Sequence, residues 1–348
     1  DYRKRPTLAA RMAAEAPATG KHYVVVGTGS LGSTLLEALV ARGEEHVTGV
    51  DIKEPSGLPP GVAFTPCSVL DPPGLRAAVK GADVCFNTVA YIGYMDHLPF
   101  QKGRSMRVNV EGTKNLVEAC VAEGVPVLVH TSSAAVATPA GCDISSGDEA
   151  CPYVSEADCG NWYNLSKALS EQILLEADGT PLPGGGTLRT ACVRPGGIFG
   201  HRDTSVNLVA RHINPAKKIT VACAGGVCDY VSAVNVAWAE LLVEKGLADK
   251  PHEVGGQAFC VTTDEAMTHD DFNDAISFFH EQFTGEPLRK EYIPPNLVTV
   301  LANGVSLTER LLGRDVSGEL AALTRGSLHS MRCRWRFTAA KARREVRH

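Results

Sequence analysis

A chain of 348 residues is long enough for one large domain or two ordinary ones built around a real core. Hydrophobic residues make up 44% and charged residues 21%, the balance of an ordinary globular protein rather than a disordered one. Lys and Arg against Asp and Glu give 34 − 39 = −5, so no global positive field invites nucleic acid.

The eleven cysteines include no Cys-x-x-Cys spacing and read as reduced thiols in a reducing compartment. The histidines lack His-x-x-x-His and His-Glu-x-x-His spacings, which argues against a zinc site. No segment approaches the roughly 18 uninterrupted apolar residues that suggest a bilayer span. The chain begins at Asp1, not Met, and residues 1–20 are basic and Ala-rich. They read as a surface extension, with the remnant of an organellar transit peptide as the other reading.

From residue 22 onward strand and helix signals alternate. "HYVVVG" is an apolar strand, and "SLGSTLLEALVARG" a helix ending on Gly43. "HVTGVD" and "VAFTPCS" are two further strands, and "PPGLRAAVKG" a helix opened by proline and stopped by glycine. "DVCFNTVA" is a fourth strand, "SMRVNVEGTKNLVEACVAEG" a long helix and "VPVLVHTSS" a fifth strand. "WYNLSKALSEQ" is helical, and "TLRTACVRPGGIFG" adds another strand and turn. "CDYVSAVNVAWAELLVEKG" and "GQAFCVT" look like returns to the sheet. The pattern predicts an α/β, Rossmann-type doubly wound parallel sheet with a smaller C-terminal substrate lobe. The expected divisions are an extension at 1–20 and a nucleotide-binding domain at 21–203, rejoined by 229–240 and 257–262. A substrate lobe over most of 204–330 and a basic tail at 331–348 complete them.

"VVVGTGSLGS" places Gly27, Gly29 and Gly32 as Gly-x-Gly-x-x-Gly between a strand and a helix. Glycines there let the backbone turn tightly and approach a pyrophosphate at the helix N-terminus, with Ser30 and Leu31 in the same turn. Asp51 ends the next strand about 20 residues on, as a dinucleotide fingerprint requires. A carboxylate there accepts from the ribose hydroxyls and repels a 2′-phosphate, so NAD is favoured over NADP, with Lys53 nearby softening the preference.

Thr131, Ser132 and Ser133 end a strand at the edge that faces the ligand crevice of such a sheet. Tyr163 and Lys167 lie one helical turn apart. Free tyrosine, with a pKa of about 10, is a poor base at neutral pH. A neighbouring ammonium favours the phenolate, which can then take a proton from an alcohol as hydride leaves carbon.

With these motifs in place the sequence resembles the extended short-chain dehydrogenases/reductases, and within them the 3β-hydroxysteroid and sterol dehydrogenase family. "RVNVEGTKNLVEAC", "HTSSAAV", "YNLSKALSE" and "VRPGGIFG" carry the resemblance, with "DYVSAVNVAWA" and "GQAFCVTTDE" further on. Looser matches in "IPPNLVTVLANGVSLTERLLG", "LTR" and "KARREV" extend it toward the end. The resemblance implies that Tyr163 is the general acid/base, that Lys167 lowers its pKa and holds the nicotinamide ribose, and that Ser133 orients the substrate oxygen. Asn109 would support a helix bend and a water relay. Ser68 and Val69 would lie near the adenine, Asn87, Thr88 and Val89 along the cofactor strand, and Pro195 and Gly196 at the nicotinamide amide.

The chain departs from the pattern at Val26, where the longer glycine register has its first glycine. Ser30 stands where Phe is usual, Ser68 where an acid is common, and Ser232 where His or Tyr is commoner. Asn164-Leu165-Ser166 is a formal glycosylation sequon inside the proposed catalytic helix and is discounted. His201 and Asp203 read as ordinary loop.

The implied activity is NAD-dependent oxidation of a ring secondary alcohol, a 3β-hydroxysteroid or sterol and in particular a 4-carboxysterol, to a ketone. A nucleotide-sugar epimerase or dehydratase is the alternative, with Arg202, Arg211, Lys217 and Lys218 available for a diphosphate. A non-catalytic nucleotide-binding subunit is the third reading. Apolar Leu297, Val298, Leu301, Val305 and Leu312 read as one helical face. That face either caps the cleft or, with the basic tail, makes peripheral contact with an internal membrane through 294–313. Cytoplasmic location, a homodimer and membership of a larger complex all stay open.

Overall fold

The computed structural model describes residues 17–200, 218–222, 225–316 and 323–346. The extension before residue 17, and His201, Arg202, Asp203, Arg211 and Lys217, lie outside them, and Lys218 enters as backbone only.

Seven parallel strands form the central sheet: β1 (His22–Val26), β2 (His46–Asp51), β3 (Ala63–Pro66), β4 (Val84–Asn87), β5 (Val127–Thr131), β6 (Arg189–Pro195) and β7 (Gln257–Val261). Their order across the sheet is β7-β6-β5-β4-β1-β2-β3. The apolar run "YVVV" in β1 is buried throughout because both faces of the sheet are covered. On one face lie α1 (Ser30–Arg42) and α5 (Ala233–Asp249), which bury Leu35, Leu39, Val236 and Leu241 against Tyr23, Val25 and Phe86. On the other lie α2 (Pro72–Val79), α3 (Gly112–Glu123) and α4 (Trp162–Glu176), closing over Val24, Cys85 and Leu128. Strand order reverses between β1 and β4, which opens a crevice beyond the carboxyl ends of these strands.

The remaining chain makes short pairs outside the sheet. Tyr230–Ser232 runs beside Gly197–Phe199 rather than in the central sheet, and Ser232 then caps α5 by accepting from the Asn235 amide. The second lobe contains α6 (His269–Thr284), α7 (Pro295–Leu312) and α8 (Arg325–Arg332). Much of the basic tail is paired with the rest of the fold, its arginines staying at the surface. Trp335–Phe337 pairs with Ile144–Gly147, Arg343 pairs with Asp264, and Lys341 donates to Gln257 and to the Ala258 carbonyl.

The apolar residues of α7 do not share one face, as the sequence suggests. Val298, Ala302 and Val305 are buried, while Val300, Leu307 and Leu311 are exposed on the opposite side, Leu297 is exposed on the flank and Leu312 at the helix end. Among the described residues no helix is long and apolar enough to cross a membrane.

Candidate active site

β1 delivers the chain to Gly27 in a left-handed turn (φ 95°), and α1 starts three residues later. Side chains are excluded at two of the three fingerprint glycines. A Cβ on Gly27 would sit 2.8 Å from the Val89 amide nitrogen, and one on Gly32 would sit 1.8 Å from the Gly27 carbonyl oxygen. Gly29 is different, since a Cβ there would meet nothing within 4 Å. No side chain caps α1, and no acidic residue lies in the first turn, through Ser30 and Leu31. The helix end is therefore open to an anion, in an uncrowded cradle of backbone amides.

Asp51 closes the same cleft, whose wall includes Thr28, Gly29, Lys53 and Ser56. Its carboxylate accepts from the Thr28 amide at 2.7 Å and the Ile52 amide at 2.7 Å, which fixes its direction. On the far side, Thr88 donates to the Gly27 carbonyl at 2.6 Å, and Asn87 accepts from the Val89 amide at 3.2 Å. Ser68 accepts from the Leu70 amide, and Val69 packs where Gly112 leaves room for it. The glycine turn, Asp51 and Asn87–Val89 thus surround one crevice, and they fit a dinucleotide. Asp51→Ala is expected to weaken NAD binding roughly tenfold or more while narrowing the gap to NADP, which parallel titration of the two cofactors measures.

The second half of the site meets at the end of β5. Ser133 accepts from the Ala135 amide at 3.1 Å, and its hydroxyl favours ionisation of the Tyr163 phenol. Asn161 caps α4 by accepting from the Asn164 amide at 2.9 Å, which sets the helix start and places Tyr163 in its first turn. Tyr163 is 5% exposed and Lys167 1%. The Lys167 ammonium donates to the Thr131 carbonyl at 2.7 Å and lies 3.2 Å from His130 Nε2.

Burial pushes the Tyr163 phenol above its ordinary value, opposed by the hydroxyls of Ser133 and Tyr94. Burial also brings Lys167 down to about 8, while Cys192, Glu171 and Glu240 oppose the shift. The ammonium is turned toward the Thr131 carbonyl.

Asn109 sits in a π-helical stretch, Met106–Glu111, a distortion found often at functional sites. Its amide accepts from the Tyr91 N–H at 2.7 Å, donates to the Tyr91 carbonyl at 3.0 Å, and donates to Ser166 at 2.8 Å. It thereby ties the segment after β4 to α4. Pro195 ends β6, and the Gly196 amide donates to Val261. A Cβ on Gly196 would lie 2.0 Å from the Asp229 carbonyl oxygen, so only glycine fits. The sequon residue Asn164 is buried and donates to Thr138 at 3.0 Å, which leaves no room for a glycan.

Two buried groups beside Lys167 are invisible to motif matching. Glu240 of α5 accepts from the Thr131 hydroxyl, and burial pushes its carboxyl up to about 8. Burial, with the neighbouring ammonium, holds His130 well below its usual range, hence neutral. The available signal for Glu240 is an acid isolated in the apolar stretch "NVAWAELLV".

Comparison with known proteins matches residues 23–284 to the model of the 3-beta hydroxysteroid dehydrogenase/isomerase family. The chain belongs to that family. It is 28% identical to short-chain dehydrogenase/reductase family 42E member 1 of Homo sapiens over 329 residues, covering 92% of this chain and 81% of the relative. The Macaca fascicularis protein of the same description matches with the same identity and coverage. Among solved structures, MoeE5 in complex with UDP-glucose and NAD superposes with a TM-score of 0.67 at 18% identity, covering 93% of this chain and 92% of that one. UDP-glucose 4-epimerase of Thermotoga maritima superposes with a TM-score of 0.66 at 16% identity, with the same coverage. These structural likenesses establish the Rossmann-type fold.

Proposed function

We propose that the protein is an NAD-dependent dehydrogenase that oxidises a ring secondary alcohol to a ketone. The substrate class is a 3β-hydroxysteroid or sterol, with a 4-carboxysterol as a particular member. One observation carries this reading: Ser133, Tyr163 and Lys167 are all buried, Lys167 one turn after Tyr163, and all three stand at the sheet edge that holds the glycine turn and Asp51.

The Gly27–Gly32 turn would hold the pyrophosphate of NAD, Asp51 its adenosine ribose, Asn87 to Val89 its flank, and Pro195 and Gly196 its carboxamide. Bound there, NAD supplies the hydride acceptor. Ser133 donates to the substrate oxygen and orients it. Tyr163 takes the hydroxyl proton at its phenolic oxygen. Lys167 would hold the nicotinamide ribose, where its charge would favour the phenolate. Asn109 holds the chain after β4 and α4 in register while this happens.

Sterol substrates partition into membranes. The exposed row of Leu297, Val300, Leu307 and Leu311 on α7 supports peripheral contact with a bilayer interface.

The test is to denature the purified chain, identify the released nucleotide, and assay NADH formation with a panel of 3β-hydroxysteroids, their 3α epimers and 4-carboxysterols. NADH and ketone from the 3β series are expected. Retained NAD with no net NADH from any member would replace this reading with a nucleotide-sugar epimerase.

A further inference from the structure

We propose that Glu240 is a positioning residue of this site: from α5 it holds the Thr131 hydroxyl and so keeps the Thr131 carbonyl where it seats the Lys167 ammonium. This role rests on the Ser133-Tyr163-Lys167 reading and adds a support on the face of the sheet opposite the catalytic helix.

The end of β5 is bounded unequally. β4 ends opposite His130, whereas β6 continues beside Thr131, and the Ser132 amide donates to the Val193 carbonyl at 2.7 Å. In a trans peptide the carbonyl points away from the N–H that follows it. The Thr131 carbonyl is therefore turned from β6 toward the side where β4 has already ended. Free of the ladder, it accepts from Lys167 at 2.7 Å. Successive side chains of a strand leave on opposite faces. His130 lies 3.2 Å from the Lys167 ammonium on the face covered by α4, while the Thr131 hydroxyl donates to Glu240 on the face covered by α5. One residue thus joins the two helices, by its carbonyl to Lys167 and by its hydroxyl to Glu240.

Stability alone gives no reason for an acid here. Glu240 is 1% exposed, and Val236, Ala237, Leu241 and Val243 of the same helix are wholly buried. Taking a carboxyl out of water is unfavourable unless its oxygens are satisfied. Only one of them is: Oε2 has no hydrogen-bond partner among the described residues. The other acid near Lys167 is engaged elsewhere, since Glu171 is held by Arg194 and Tyr153. Burial keeps Glu240 neutral up to about 8, with the Thr131 hydroxyl and the Lys167 ammonium opposing that shift. Its place in the fold is accounted for by the strand end it steadies.

Thr131→Val combined with Glu240→Met replaces donor and acceptor together by apolar groups of similar size, an exchange that is often neutral or stabilising. The full chain is measured for its denaturant midpoint, its NAD affinity, and its kcat with a 3β-hydroxysteroid. The midpoint is expected to equal or exceed that of the unsubstituted chain. NAD affinity and kcat should each fall roughly tenfold, as for one lost hydrogen bond at the seat of Lys167. Glu240→Met alone should lose as much function as the double variant, because both cut the same link. Glu240→Gln keeps an acceptor for the Thr131 hydroxyl and should stay within about threefold of the unsubstituted chain. Unchanged NAD affinity and kcat in the double variant overturn the proposal, as does a Glu240→Gln variant that loses as much as Glu240→Met. A double variant whose midpoint falls along with its turnover also overturns it, since the pair is then merely structural. NAD affinity needs no substrate. If Tyr163→Phe keeps full turnover, the dehydrogenase reading fails, and the pattern of NAD affinities still decides the role of Glu240.

Discussion

Tyr163→Phe is expected to lower NADH formation by roughly a hundred- to ten-thousandfold, the usual contribution of a positioned acid or base, while leaving NAD affinity nearly intact. The substituted ring keeps its edge-to-face contact with Tyr94 and its place in the first turn of α4, so the fold has no reason to change. What is lost is one oxygen, the phenolic hydroxyl. The pH dependence gives the sign of the remaining chemistry. Burial holds the proton on Tyr163 above the ordinary tyrosine value, and Lys167 loses its own near 8. Turnover by the unsubstituted protein should rise with pH on its acid limb, and stopped assays across pH should find that limb absent in Tyr163→Phe. Retained full turnover would sink the mechanism.

The parts of this molecule that could be read from sequence are those where one local rule acts alone. Alternating apolar strands and amphipathic helices specify the parallel sheet, because burial on both faces leaves little other use for "HYVVV" or "VPVLVH". Gly27, Gly29 and Gly32 announce a turn whose reason is steric, and the distances around absent Cβ atoms supply that reason at Gly27 and Gly32. Contacts made across long separations were not legible. Lys167 meeting the Thr131 carbonyl joins residues 36 apart, and Thr131 meeting Glu240 joins residues 109 apart. Neither pair has a spacing signature, since strand end, helix and second crossover converge only after the sheet forms. The buried face of α7 is ambiguous in the sequence for a related reason. Apolar residues lie on both sides of that helix, so periodicity alone cannot say which side meets Ala302's neighbours and which meets solvent.

Glu171 gives the second large effect, and it concerns how the site is held rather than what it does. The residue is the last letter of the Tyr-x-x-Ser-Lys-x-x-x-Glu match, eight residues after Tyr163 and two turns deeper in α4. Its carboxylate takes a forked pair from Arg194, with Nη2 at 2.6 Å and Nε at 2.9 Å, and a third bond from the Tyr153 hydroxyl at 2.8 Å. Both charged side chains are almost completely buried. Glu171→Ala would strand the Arg194 guanidinium among apolar neighbours, with only the Glu149 carbonyl at 3.2 Å and the Tyr153 ring left to it. The expected cost is about 3–5 kcal/mol, seen as a lower denaturant midpoint. Combining it with Arg194→Met should recover most of that loss, because a buried pair replaced whole by apolar groups is often neutral. A single substitution costing less than about 1 kcal/mol would refute the view that this pair is desolvated and coupled. Arg194 directly precedes Pro195 and Gly196, where β6 ends beside the expected nicotinamide position. The double variant should therefore fold yet bind NAD more weakly than the unsubstituted chain. Such an outcome would separate what the pair does for stability from what its geometry does for the cofactor.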